Sequence, residues 1–292
     1  MKCEAIHKLR NEFPVIKMCE VLEIRPNTYY RWIKQEQARR TKRIKEQTLI
    51  NKIEKIFLAS DKTYGYRAIL AELISQGEDI SEYKVRKIMR ENGFYPETVK
   101  KYKPCHNSKT DGKYKENVVK QQFCVEQPNE VWAGDITYIK TELGWRYLAV
   151  VLDLFNREVV GYAISSKIDA ELVRTALGNA IARHKTGETI VFHSDRGSQY
   201  ASQSYQRYLE EQGIIGSMSR PGCPYDNSCV ESFFATLKKE RIYRRHYETE
   251  KELRQDMFKY VELFYNRKRR HSYLGYKSPV EYRNDYERNQ TA

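Results

Sequence analysis

From Val131 onward the chain changes its period. Upstream, apolar residues recur at helical spacing. From Val131 to Lys140 and again from Trp145 to Leu154, β-branched and aromatic residues dominate, with Thr141-Glu142-Leu143-Gly144 as the turn between. Two such runs around a short turn predict a hairpin. Arg157 to Ser165 supplies a third strand and makes an antiparallel meander. Asp169 to His184 then places Leu172, Val173, Ala176, Leu177, Ala180 and Ile181 on one helical stripe. Thr189 to His193 reads as a short buried strand, Ser204 to Gln212 as a helix closed by Gly213, and Ile214 to Met218 as a last strand before a long helix that begins near Asp226. Three strands in succession, then helix, strand, helix, strand, helix, leave few ways to cover both faces of one sheet.

The first part of the chain is helical. Val15, Ile16, Met18, Cys19 and Leu22 form one stripe, Glu23-Ile24-Arg25-Pro26-Asn27 interrupts it, and Asn27 is placed to cap a helix through Tyr29, Tyr30, Trp32 and Ile33. Lys42 to Leu58 reads as an amphipathic connecting helix suited to self-association. A second pair follows: Tyr66 to Ser75, a break at Gly77, then a helix capped by Ser81 and stopped by Asn92-Gly93. Val85, Ile88 and Met89 face inward on that last helix, while Lys84, Arg86, Lys87 and Arg90 face mostly outward. A basic outer face on a helix-turn-helix suits DNA phosphates, with Lys84 and Lys87 as contacts. The competing reading is a packed hairpin with a solvated charged face. Residues 96–128, with Pro96, Lys100-Lys101, Lys103-Pro104 and Pro128, lack periodicity and read as a basic linker. The predicted division is 1–95, 96–128 and 129–292.

Charge narrows the partner. The formal charge is +13, from 52 Lys and Arg against 39 Asp and Glu, and there are 23 tyrosines. Lys and Arg displace phosphate counterions and aromatic rings stack on bases, so the composition suits nucleic acid. Charge alone does not separate that partner from an anionic membrane. No apolar run approaches the ~18 residues of a membrane span, and no signal-peptide core opens the chain, so an intracellular protein is expected. The six cysteines show no disulfide spacing, and Cys223, Cys229 and His193 lack the paired spacing of zinc ligands. Reduced structural thiols are the expectation.

Three carboxylates carry the chemistry. Asp135 falls mid-strand in Trp132-Ala133-Gly134-Asp135-Ile136-Thr137-Tyr138, Asp195 just past the fourth strand in His193-Ser194-Asp195-Arg196-Gly197, and Glu231 on the long helix. Phosphodiester chemistry needs an activated nucleophile and a stabilised leaving oxygen, which two Mg2+ ions held by converging carboxylates supply. Lys238 lies seven residues beyond Glu231, two turns along the same helix face, where it can grip a phosphate. Asp226 is expected to cap that helix, with Asn227 in its first turn. Taken singly, each carboxylate reads as well as a turn or surface charge. The joint spacing, the element order of a ribonuclease H-like core and the lysine raise the set above that. Asp153, also on a strand, is expected to be structural. Arg267, Arg269 and Arg270 form a basic run near the C-terminus expected to touch phosphate, and His193 and His271 are candidates to support the site without being confident metal ligands.

At these residues the sequence resembles the DDE transposase and retroviral-integrase superfamily, and within it the second-frame transposase of the IS-three family of insertion sequences. The likeness rests on Pro128-Asn129-Glu130-Val131-Trp132 leading to Asp135-Ile136-Thr137-Tyr138; on His193-Ser194-Asp195-Arg196-Gly197-Ser198-Gln199-Tyr200; and on Tyr225-Asp226-Asn227 through Glu231-Ser232-Phe233-Phe234 to Leu237-Lys238. Tyr64-Gly65-Tyr66-Arg67 and Phe264-Tyr265-Asn266-Arg267 extend it to nearly the whole chain. The resemblance implies an α/β fold, a ribonuclease H-like integrase catalytic core preceded by an all-α helix-turn-helix-like DNA-binding region. It also implies a triad of Asp135, Asp195 and Glu231 with two Mg2+ ions, for which Mn2+ substitutes, and a 3′-hydroxyl exposed at an element end that attacks a second phosphodiester. Partners implied are insertion-sequence ends and target DNA, a homo-oligomer, and a first-frame product; the place implied is the nucleoid-associated cytoplasm. A non-catalytic DNA-binding protein and a structure-selective nuclease are the rivals, separated by metal dependence and by a strand-transfer product.

Overall fold

The computed structural model describes residues 1–98, 115–119, 125–184, 189–220 and 227–291. Most of the expected linker therefore lies outside the described residues, as do Asp226, Cys105, Cys124 and Cys223.

The C-terminal half is a five-stranded sheet with helices on both faces. Strands β1 (Val131–Thr141), β2 (Gly144–Asp153) and β3 (Val159–Ser165) form the expected meander, and β4 (Val191–Ser194) and β5 (Ile215–Met218) extend it in the order β3-β2-β1-β4-β5. β1 pairs antiparallel with β2 and parallel with β4, so β1 is central. Alternation along the strands feeds two cores. Trp132, Ala149, Val151 and Phe192 pack under α6 (Ala170–His184) and, beyond the four-residue α7 (Ser198–Ala201), α8 (Gln203–Glu211). Ala133, Ile139, Leu148, Val150 and Leu152 pack under α9 (Ser228–Glu240) and α10 (Glu250–Phe258). Both faces are covered, which is why these strands read as near-continuous apolar runs. Gly161 is required by that packing, because a Cβ there would strike the backbone of α6 at Ala176 and Ala180. Asp153 is structural as expected: buried, it accepts from the backbone N–H of Asn129 and of Phe155 at 2.8 and 2.9 Å. The described piece of the linker runs along β5, where Val118 N–H donates to Ser217 Oγ at 3.0 Å.

The helical half departs from expectation in three ways. A helix at Lys2–Leu9 (α1), not anticipated, completes a small core of Ile6, Cys19 and Tyr29 with α2 (Val15–Val21) and the start of α3. α3 runs unbroken over Pro26–Ala59, joining the two segments expected at Asn27 and Lys42. Nothing between Ile33 and Lys42 breaks a helix, and Lys, Gln, Glu, Ala and Arg there are strong helix formers. Asn27 is not the cap: Arg25 holds that position and Pro26 opens the helix, where its missing N–H costs nothing. Residues 37–48 are exposed all round, so this stretch bridges two packed ends. α4 (Tyr66–Ser75) and α5 (Glu82–Glu91) match the expected pair, with Ser81 Oγ accepting from Lys84 N–H and Gly77 and Gly93 in the left-handed region that ends each helix.

The two halves are docked. α10 continues as a π-helix, Lys259–Tyr265, which presents Phe264 to the core of α3, α4 and α5. Tyr64 Oη donates to the carbonyl of Lys268 at 3.0 Å, and Arg241 bridges Asp61 and Asp256. The run Arg267 to Arg270 is not helical. It follows the π-helix in a turn, because Asn266 is held sideways by two hydrogen bonds to the backbone of Val159, both 3.0 Å. A last helix, α11 (Pro279–Thr291), stacks Tyr282 and Tyr286 on Phe155.

Candidate active site

Strand register brings the first two carboxylates level. The parallel pairing of β1 with β4 ends at Gly134 and Ser194, and Asp135 and Asp195 are the next residues on each. Neighbouring strands lie about 4.8 Å apart. Side-chain parity puts both on one face: Asp135 shares the face of Ala133 and Ile139, which pack toward α9, and Asp195 lies on the face opposite Phe192, which packs to the other side. Gly134 makes this possible, since a Cβ there would collide with the Phe192 ring across the sheet.

α9 supplies the third. Val230, Phe233, Phe234 and Leu237 anchor it on β1 and β2, leaving Glu231 exposed and Lys238 half-buried together along one flank of the helix. Asn227, buried at its start, is the N-cap residue rather than a first-turn one, and its amide donates to the Gly134 carbonyl at 3.2 Å. The beginning of α9 is thus tied to the residue before Asp135. The expected capping role of Asp226 lies outside the described residues.

Electrostatics reports the convergence. Burial, then the charges of Asp195 and Glu231, push the Asp135 carboxyl up to about 8, against the opposing pull of the Ile136 N–H and Lys238. Asp195 is also raised, by desolvation, while Gly197 N–H donates to its Oδ1 at 2.9 Å. A buried carboxyl raised by two neighbouring carboxylate charges, beside one lysine and with hard oxygen donors only, fits a divalent cation. Among the described residues no three His, Cys, Asp or Glu close on a single point tightly enough to cage one ion.

The other candidates are placed as follows. His193 is buried between Ser217 Oγ (2.9 Å) and Ser219 Oγ (3.2 Å), bridging β4 to β5. His271 packs edge-on against Tyr265, and desolvation with the Arg269 and Arg157 charges pushes it down to about 3, so it is neutral. Lys84 and Lys87 are exposed on α5, and Arg267 is exposed beyond the π-helix. Arg269 and Arg270, expected to touch phosphate, are ion-paired within the fold. Arg269 forks onto Glu240 at 2.8 to 3.2 Å, and Arg270 joins Glu72 of α4 to Glu281 of α11. A guanidinium between two carboxylates from separate elements serves docking, a role that a linear run of basic residues does not reveal. The surroundings of two residues escaped the sequence reading. Arg157 sits in the β2–β3 turn at φ +61°, and Tyr66, named only within Tyr64-Gly65-Tyr66-Arg67, is gripped between Arg67 and Arg86.

Comparison with known proteins agrees with this architecture. A family model described as Integrase core domain matches residues 125–224, a second Integrase core domain model matches 231–286, and an HTH-like domain model matches 44–102. Transposase InsF for insertion sequence IS3A of Escherichia coli (strain K12) is 37% identical over 284 residues, 97% of this chain and 99% of that one. The transposase for insertion sequence element IS904 of Lactococcus lactis subsp. lactis (strain IL1403) is 40% identical over 239 residues, covering 82% and 94%. Among solved structures, the simian T-cell lymphotropic virus intasome in complex with PP2A regulatory subunit B56 gamma is 18% identical, covers 79% of this chain and 74% of its own, and has a TM-score of 0.44. The HTLV-2 integrase catalytic core domain in complex with magnesium (trimeric form) is 18% identical, covers 54% and 97%, and has a TM-score of 0.42.

Proposed function

Because the chain belongs to the IS-three family of insertion-sequence transposases, whose integrase core cleaves DNA and transfers strands, we propose that Asp135, Asp195 and Glu231 carry that reaction. The observation that supports this most is the register: two carboxylates one residue past the last β1–β4 pair, with the charge of a third on α9 raising the first. These three would hold two Mg2+ ions, or Mn2+ in their place. When bound, such ions activate the attacking oxygen and stabilise the leaving one.

The chain's own groups do the rest. Asn227 fixes the start of α9 against β1, and so fixes Glu231 relative to Asp135. Lys238, near enough to lower the Asp135 carboxyl, offers an ammonium to the phosphate being cut. Lys84 and Lys87 on α5 and Arg267 beyond the π-helix present cations to the DNA backbone at a distance from the triad. One triad per chain and two element ends to process call for a homo-oligomer on DNA, acting with a first-frame product at the nucleoid. No helix among the described residues is long and apolar enough to cross a membrane.

The test uses DNA carrying the element's ends. Asp195→Asn and Glu231→Gln each lower Mg2+-dependent nicking and strand transfer by about a hundredfold or more, while DNA binding in chelator is retained. Full activity in either variant overturns the assignment.

A further inference from the structure

A groove of about 940 Å3 opens between the helical half, α9 and the C-terminal segment. Its walls are Gly65 to Ala68 from α4, Ser228, Cys229, Ser232 and Thr236 from α9, and Arg269 to Tyr273 with Tyr276 from the turn beyond the π-helix. It is next to the triad but distinct from it: Ser228 and Ser232 flank Glu231 on the adjacent face of the same helix.

Its lining has a chemical bias. Four arginines and four tyrosines contribute, and no aspartate or glutamate among the described residues does. Arg269 and Arg270 are committed to Glu240, Glu72 and Glu281. Arg67 and Arg157 each lie against a tyrosine ring. Arg67 lies on Tyr66 and donates to its Oη at 3.1 Å. Arg157 stacks 4.4 Å above the ring of Tyr273, itself 57% exposed, and donates to Cys229 Sγ at 2.9 Å. Arg157 adopts a left-handed backbone conformation to do so, one that a non-glycine residue takes only at a cost.

Size and chemistry select the occupant. The volume is at the upper end for small-ligand pockets, about 300–1,000 Å3, which is room for a few nucleotides and not for a double helix. A duplex hides its base faces, whereas unpaired bases stack on aromatic rings while arginines hold the phosphates. The groove also connects outward. Tyr66 lies in its wall and in that of a second surface depression lined by Tyr83, Arg86, Lys87 and Arg90 of α5, the basic helix suited to duplex phosphates. We propose that this groove binds unpaired nucleotides of a DNA strand, led from a duplex on α5 past Tyr66 and between Arg67, Arg157 and Tyr273 toward Glu231. The proposal rests on the reading of α5 as a DNA-contacting helix.

The full chain in chelator is titrated by fluorescence anisotropy against a labelled blunt 20-base-pair duplex, and against the same duplex with a three-nucleotide single-stranded extension carrying 2-aminopurine. The extended duplex binds at least about fivefold more tightly, a modest return for one stacked base, and the 2-aminopurine emission is quenched on binding. Tyr273→Ala and Arg67→Ala abolish the advantage of the extension and the quenching while keeping blunt-duplex affinity within about twofold, as a pure stacking and phosphate role requires. Tyr273→Phe keeps both. An extension that gives no advantage while the blunt duplex binds overturns the proposal and leaves the DNA-binding reading standing. So does equal weakening of both probes in Tyr273→Ala. Failure of every probe to bind overturns both.

Discussion

Replacing Asp135 by Asn should make the metal-free protein more stable while abolishing its chemistry. The Asn Oδ1 still accepts from Ile136 N–H, which Asp135 Oδ1 does at 2.7 Å, so the local backbone is unchanged. What disappears is a charge that burial, Asp195 and Glu231 all oppose. A rise from 3.8 to about 8 is four units, formally about 6 kcal/mol at about 1.4 kcal/mol per unit. The side chain is partly open to solvent and the effective dielectric there is high, which leaves about 2 kcal/mol. The sign follows from the raised carboxyl: its contribution to stability is full below pH 3.8 and is lost as pH rises through about 8. The gain from Asp135→Asn is therefore absent below pH 3.8 and largest at pH 9. Thermal melts in chelator should show the variant about 4–8 °C above wild type at pH 9 and near it at about pH 3.5. Millimolar Mg2+ should then raise the wild type and leave the variant in place, because a ligand stabilises only the state that binds it. A variant less stable than wild type at both pH values would refute the claim that the carboxylates repel one another in the folded protein.

Two further outcomes test the supporting structure. Arg269→Met leaves Glu240, 12% exposed, without its forked partner and should cost about 3 kcal/mol in urea denaturation, with more than half recovered in Arg269→Met/Glu240→Gln; no loss would show the pair to be solvent-screened. His271, pushed down to about 3 from 6.5, contributes stability that is present above pH 6.5 and lost as pH falls below it. Between pH 6.5 and 5.5 that loss is about 1 kcal/mol, and His271→Gln should remove it from the measured pH slope; an unchanged slope would mean the imidazole is protonated in the fold.

The carboxylates were legible in sequence because each sits at a position that local pattern defines. Asp135 lies within an unbroken strand pattern, Asp195 at the end of one, and Glu231 seven residues before a lysine on a helix. The meander, the α4–α5 pair and the Ser81 cap were legible for the same reason: turn and cap residues act over three or four positions. The length of α3 was not, because Arg25-Pro26-Asn27 looks the same whether the helix starts at Pro26 or after Asn27, and no breaker marks the exposed middle. The ion pairs of Arg269 and Arg270 were not legible. Their partners Glu240, Glu72 and Glu281 are distant in sequence, and only the docking of α4 and α11 on the core brings them near. The groove shares that origin, since its walls come from four separated segments.

The convergence of the three carboxylates is tested most directly by replacing Mg2+ with Fe2+ and cutting the chain with locally generated hydroxyl radicals. Cleavage should cluster beside residues 135, 195 and 231, be suppressed by excess Mg2+, and vanish together at all three positions in Asp135→Asn. Cuts confined to one of the three, or cuts elsewhere that Mg2+ does not suppress, would contradict a single shared metal site.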